Sequence, residues 1–71
     1  SLDGRINPVE GALPMVIGLK KNGAERIILP SGNLKEAMLV KDVVFYPAED
    51  IAQLADHLSG RKKIKGICGE W

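Results

Sequence analysis

Cysteine occurs once in these 71 residues, at Cys68, and histidine once, at His57. A lone thiol closes no intramolecular disulfide and builds no cysteine-rich zinc site, so the expected compartment is the reducing cytoplasm. A lone imidazole, with no second histidine or cysteine at ligand spacing, marks His57 as a structural residue at or near the surface. No apolar run approaches the roughly 18 residues of a membrane span. The N-terminus also lacks a charged region leading into an apolar core, and no membrane partner is expected. A net charge of +1 removes both a strongly basic nucleic-acid binder and an acidic tail as default readings. An initiator methionine is absent too. Ser1-Leu2-Asp3-Gly4 leads straight into a strand-like pattern, so the domain is expected to begin upstream.

The chain is organised around Gly11 to Pro30. Ala12, Met15, Val16 and Leu19 fall at the i, i+3, i+4, i+7 spacing of an apolar helix face, widened by Leu13 and Ile17, which predicts a buried helix. Pro14 sits in the first turn, where its missing N–H costs nothing. Lys20 and Lys21 suit the C-terminal end of the dipole, and Gly23 supplies the left-handed stop. Arg26-Ile27-Ile28-Leu29, closed by Pro30, reads as a strand.

Upstream, Leu2 to Val9 reads as strand on either side of a tight bend at Asp3-Gly4, with Pro8 near the strand's end or at an edge. Downstream, Asn33 and Glu36 form a capping-box pattern that opens a short helix ending near Lys41. Val43 to Tyr46 is a third strand, ended by Pro47. A last helix starts at Ala48, with Glu49 and Asp50 in its first turn and Ile51, Leu54, Ala55 and Leu58 at helical spacing before Gly60. The alternation predicts an α/β fold of three β-α units, a small and mainly parallel sheet packed by helices. Ile27–Leu29 and Val43–Tyr46 are continuous apolar runs, the pattern of strands covered on both faces. A domain of this size buries only about 60% of its unfolded surface. An uncovered face or edge, and hence self-association, is an expected consequence. From Arg61 to Trp71 neither helical nor strand period is visible, so residues 61–71 read as a basic linker or tail.

Reactive constellations are not evident. A phosphate-binding loop needs Gly-x-x-x-x-Gly-Lys-Ser/Thr, whereas Gly60 and Gly66 enclose five residues and Ile67 takes the lysine position. Gly-x-Gly-x-x-Gly is likewise missing. His57 has Asp56 as its sequence neighbour, about 100° away on a helix, which argues against an orienting hydrogen bond. Ser1, Ser31 and Ser59 occupy a terminus, a loop and a helix end, and Glu10, Glu36, Glu49 and Asp50 are cap or dipole residues first. No catalytic, cofactor-binding or metal-binding residue is assigned. The candidate nucleic-acid contacts are Lys20 and Lys21 at one helix end and Arg61, Lys62, Lys63 and Lys65 in the tail, set against a plain solubilising role.

Leu2-Asp3-Gly4-Arg5, Pro8-Val9, Gly11-Ala12-Leu13-Pro14-Met15, Lys20-Lys21-Asn22-Gly23, Ile27-Ile28-Leu29-Pro30, Asn33, Glu36-Ala37, Leu39-Val40, Tyr46-Pro47 and Leu58-Ser59-Gly60 together resemble the N-terminal domain of Mg-chelatase-like proteins of the ComM family. The likeness covers residues 2–60, and Gly-x-Leu-Pro-Met is its most specific part. It implies that residues 1–60 are the C-terminal half of a domain with the ribosomal protein S5 domain 2-like, or Lon protease-like, fold. In the family that domain precedes a linker and an AAA+ ATPase module, which would carry ATP and Mg, while the half-domain itself would hold no cofactor. The implied role is a non-catalytic accessory part in DNA processing, with the AAA+ module, neighbouring subunits or DNA as partners. The enzymatic alternative is half of a Lon-type serine-lysine peptidase. Laid on that pattern, the catalytic lysine falls at Met15, whose thioether cannot take a proton from a serine. Fold likeness alone transfers no activity.

Overall fold

The computed structural model describes residues 4–70. Helix α1 spans Ala12–Lys21, strand β1 Arg26–Pro30, helix α2 Leu34–Ala37, strand β2 Val44–Ala48, helix α3 Ile51–Ser59 and strand β3 Ile67–Cys68. The fold is α/β, with a three-stranded sheet of order β1-β2-β3. β1 and β2 run parallel, with Ile27 opposite Phe45 and Leu29 opposite Pro47, while β3 is antiparallel to β2 through Phe45–Ile67 and Val44–Cys68. The sheet is therefore mixed.

Residues 61–71, a basic linker or tail on sequence grounds, contain the short strand β3. Two residues are too few to show a period, and their place is set by partners instead. The Gly69 N–H donates to the Val43 carbonyl at 2.8 Å and the Glu70 N–H to the Met38 carbonyl at 3.1 Å. Gly66 and Gly69 allow this approach. A Cβ on Gly66 would lie 2.6 Å from Val44 Cγ1, and one on Gly69 would collide with the Val40 carbonyl oxygen.

α1 and α2 lie over one face of the sheet. Val16, Ile27, Leu29, Ala37, Val40, Val43 and Phe45 form the core there, with Leu13, Ala24, Leu34 and Met38 packed around them. Gly11 enters α1 in the left-handed region, and Gly23 leaves it there at φ 95°, as its position after the lysines predicts. The apolar stripe of α1 is only partly used, however. Ala12 and Val16 are buried, but Met15 is 53% exposed, Leu19 47% and Ile17 40%. β1 likewise alternates: Ile27 and Leu29 are buried while Ile28 is exposed. The expectation of strands covered on both faces fails at β1, because α3 covers β2 on the second face and stops short of the sheet edge. α3 itself buries no residue completely, and Ile51 and Leu58 stay exposed.

Asn33 does not build the capping box its spacing suggests. Its Nδ2 donates to Glu36 Oε1 at 3.2 Å, but the side chain caps no α2 backbone N–H. Instead Oδ1 accepts from the Val9 N–H and Nδ2 donates to the Val9 carbonyl, both at 2.9 Å, pinning the N-terminal segment to the end of β1. α2 is correspondingly short and ends at Ala37, before Lys41. α3 starts three residues later than its pattern predicts. Ala48 belongs to β2, and Asp50 is the N-cap, accepting from the Gln53 N–H at 2.7 Å. The strand-bend-strand expected near the N-terminus falls partly on Leu2 and Asp3, outside the described residues. From Gly4 onward the segment lies along the start of α3: Ile51 N–H donates to the Gly4 carbonyl, Ile6 N–H to the Glu49 carbonyl, and Arg5 bridges to Asp50.

Candidate nucleic-acid interface

The six basic residues singled out from sequence fall into two groups. α1 runs into β1 and α3 out of β2, so both helices end near the start of the parallel strands, where Lys20, Lys21 and Arg61 close their respective helices. Lys20 Nζ donates to the Lys41 carbonyl at 2.8 Å, and these two residues with Lys21 frame a shallow hollow floored by Ile17, Leu39 and Val40. The second group follows α3. Arg61 pairs with Asp56 at 3.6 Å, and Lys62 and Lys63 line a hollow whose other walls include Glu49, Asp50 and Asp56. The hollow beside Lys20 and Lys21 and the one beside Lys62 and Lys63 share no lining residue.

Carboxylates in the second hollow partly cancel its lysines, which reduces the field available to a phosphate chain. The neighbouring cleft is different. About 540 Å³ in volume, it is lined by Arg26, Ile28, Tyr46, His57, Lys63 and the last turn of α3, with no carboxylate among them. Its cations suit an anion, whereas the carbonyls ending α3 oppose one. Arg26 reads in the sequence only as a strand residue. The signal that could have found it is its position at the strand start, beside a helix end rich in basic residues.

His57 has a structural task. Its Nδ1 accepts the Ile64 N–H at 2.8 Å and its ring centroid lies 5.0 Å from that of Tyr46, so it holds the segment after α3 against the sheet. The same segment fails as a phosphate cradle. The Lys62 N–H is taken by the Asp56 carbonyl and the Ile64 N–H by His57, and the loop leaves a helix C-terminus instead of entering an N-terminus. Among the described residues no group of three or more His, Cys, Asp or Glu side chains is placed to hold a metal ion. None of their helices is long and apolar enough to cross a membrane.

No family model matches the chain, and no solved structure does. It is 38% identical over 66 residues to uncharacterized proteins of Mycobacterium bovis and of two Mycobacterium tuberculosis strains. The alignment covers 93% of this chain but 13% of each mycobacterial protein, so the chain corresponds to about an eighth of these relatives.

Proposed function

We propose that this chain is a non-catalytic accessory unit of a Mg-chelatase-like, ComM-type AAA+ ATPase, acting in DNA processing through contacts with the ATPase module, neighbouring subunits or DNA. One observation carries the reading: the likeness of residues 2–60 to the N-terminal domain of that family, strongest in Gly-Ala-Leu-Pro-Met. The Gly-Ala-Leu-Pro-Met run supports it, since it forms the left-handed entry and first turn of α1. Met15, at the position of the Lon lysine, offers only a thioether, so that position brings no general base to a serine. ATP and Mg belong in this reading to a separate module.

The test uses a full-length mycobacterial relative. Purified, it is expected to hydrolyse ATP faster with DNA present, and deletion of its matching 66-residue region should spare basal hydrolysis while lowering the DNA stimulation or subunit assembly. No ATP hydrolysis would reject the reading. Peptide cleavage in place of ATP-driven DNA work would favour the serine-lysine peptidase. For this chain alone, direct DNA contact through Lys20, Lys21 and Arg61–Lys65 would appear as oligonucleotide binding that weakens steeply with salt. Absence of binding at low ionic strength removes DNA from its own contacts and leaves the protein partners.

A further inference from the structure

The longest uncovered edge of the sheet belongs to β1. β3, at the opposite side, offers only two residues, whereas β1 presents five. Its polarity follows from one bond: the Val44 N–H donates to the Glu25 carbonyl at 2.9 Å. Main-chain groups alternate in direction along a strand, so those of Glu25, Ile27 and Leu29 face β2, while those of Arg26 and Ile28 and the Pro30 carbonyl face away. Among the described residues no strand pairs with this outward side. Natural sheets blunt such an edge with charge, bulges or a covering element. Here the only guards are Arg26 at one end and Pro30 at the other.

We propose that the β1 edge pairs with the β1 edge of a second copy, antiparallel about a twofold axis at Ile28, joining the two three-stranded sheets into one. The edge is self-complementary in that register. Ile28 faces its own copy and exchanges both N–H···O bonds with it, and each Arg26 N–H meets the Pro30 carbonyl of the other copy, where a proline still accepts. Arg26 is the one charged residue of β1, and the register sets it opposite Pro30, so like charges do not meet. A net charge of +1 adds little repulsion between copies.

The apolar surface flanks the same edge. A groove of about 140 Å³ runs between α1 and β1, lined by Val9, Met15 and Leu19 on one side and the strand on the other. These three side chains and Ile28 are all exposed large apolar residues. An isologous contact brings each copy's Met15 and Leu19 to the other's strand on one face and the two Ile28 side chains together on the opposite face. This accounts for Met15 and Leu19, two of the α1 side chains that the core leaves unused. The inference stands independently of the ATPase reading.

Sedimentation and light scattering of the 71-residue chain over a concentration series test it, with amide exchange read in parallel. The expected result is a monomer–dimer equilibrium in which the Arg26 and Ile28 amides become protected as concentration rises. Ile28→Lys places two ammonium groups at the axis and should weaken the dimer roughly tenfold or more, while Leu39→Lys, at an exposed residue that lines no hollow with β1, should leave it unchanged. A monomer at every concentration overturns the proposal. So does a dimer whose Arg26 and Ile28 amides stay unprotected, or one broken by Leu39→Lys and not by Ile28→Lys. The amide readout needs no variant, so it decides the matter even if Ile28→Lys fails to fold.

Discussion

Asn33 is the buried polar residue of the core and is 4% exposed. It holds both main-chain groups of Val9 and one oxygen of Glu36. Replacing it with Ala strands the Val9 pair, and we expect a loss of about 2–3 kcal/mol in urea denaturation. A change below about 0.5 kcal/mol would show that water substitutes freely. Gly69→Ala is expected to be worse than its size suggests, because the new methyl meets the rigid Val40 carbonyl and not the tip of a side chain. The readout is loss of protection at the Gly69 and Glu70 amides together with a lower Tm. Met15→Gln is the contrasting case. At 53% exposure it should move monomer stability by no more than about 0.5 kcal/mol, and a larger loss would mean that the thioether packs more closely than its exposure implies. The polar role of Asn33 is legible from sequence, but its partner is not. Local spacing points to Glu36 and α2, while Val9, 24 residues earlier, takes most of its bonds.

Among the elements, α3 depends most on its cap, since it buries no side chain fully. Asp50 accepts from the Gln53 N–H, and Gln53 Oε1 returns to the Glu49 N–H at 2.6 Å. Asp50→Ala should cost about 1 kcal/mol, with helical circular dichroism falling before the sheet melts. Simultaneous melting would mean instead that α3 and the sheet form one cooperative unit. Sequence alone places the start of α3 three residues early, because Glu49 and Asp50 suit a first helical turn as well as a cap. Ala48 decides between these choices only by burial in the sheet, where it is 1% exposed. α1 shows the opposite limit. Its ends, marked by Gly11, Lys20, Lys21 and Gly23, follow from local chemistry, whereas the fraction of its stripe that meets the core depends on how little sheet lies beneath it.

At the scale of the whole molecule, the closing piece is the C-terminal segment. Ile67–Cys68 and the bonds of Gly69 and Glu70 tie the last residues to β2, Val43 and Met38, around the fully buried Phe45. Truncation after Lys65 should therefore lower Tm markedly, at about 4–8 °C per kcal/mol lost for a domain of this size. An unchanged Tm would return these residues to the status of a tail. The basic residues make a weaker whole-molecule case than their sequence cluster suggests. Lys20 and Lys21 lie in one hollow and Lys62 and Lys63 in another, the latter facing carboxylates. Neutralising either group alone should change the salt dependence of any DNA binding less than neutralising both.

That α1, β1, β2 and α3 would form, and where Gly23 and Gly60 stop two of the helices, were set by the order of side chains along the chain. Those features depend on contacts within a turn or two, and the β-α-β order they create favours a parallel pair. The mixed sheet, the bond from Asn33 to Val9, the return of Ile67–Cys68 and the unused apolar edge of β1 were decided only in three dimensions. Each joins residues far apart in sequence, and nothing in local spacing records which distant group will satisfy a buried N–H or cover an exposed strand.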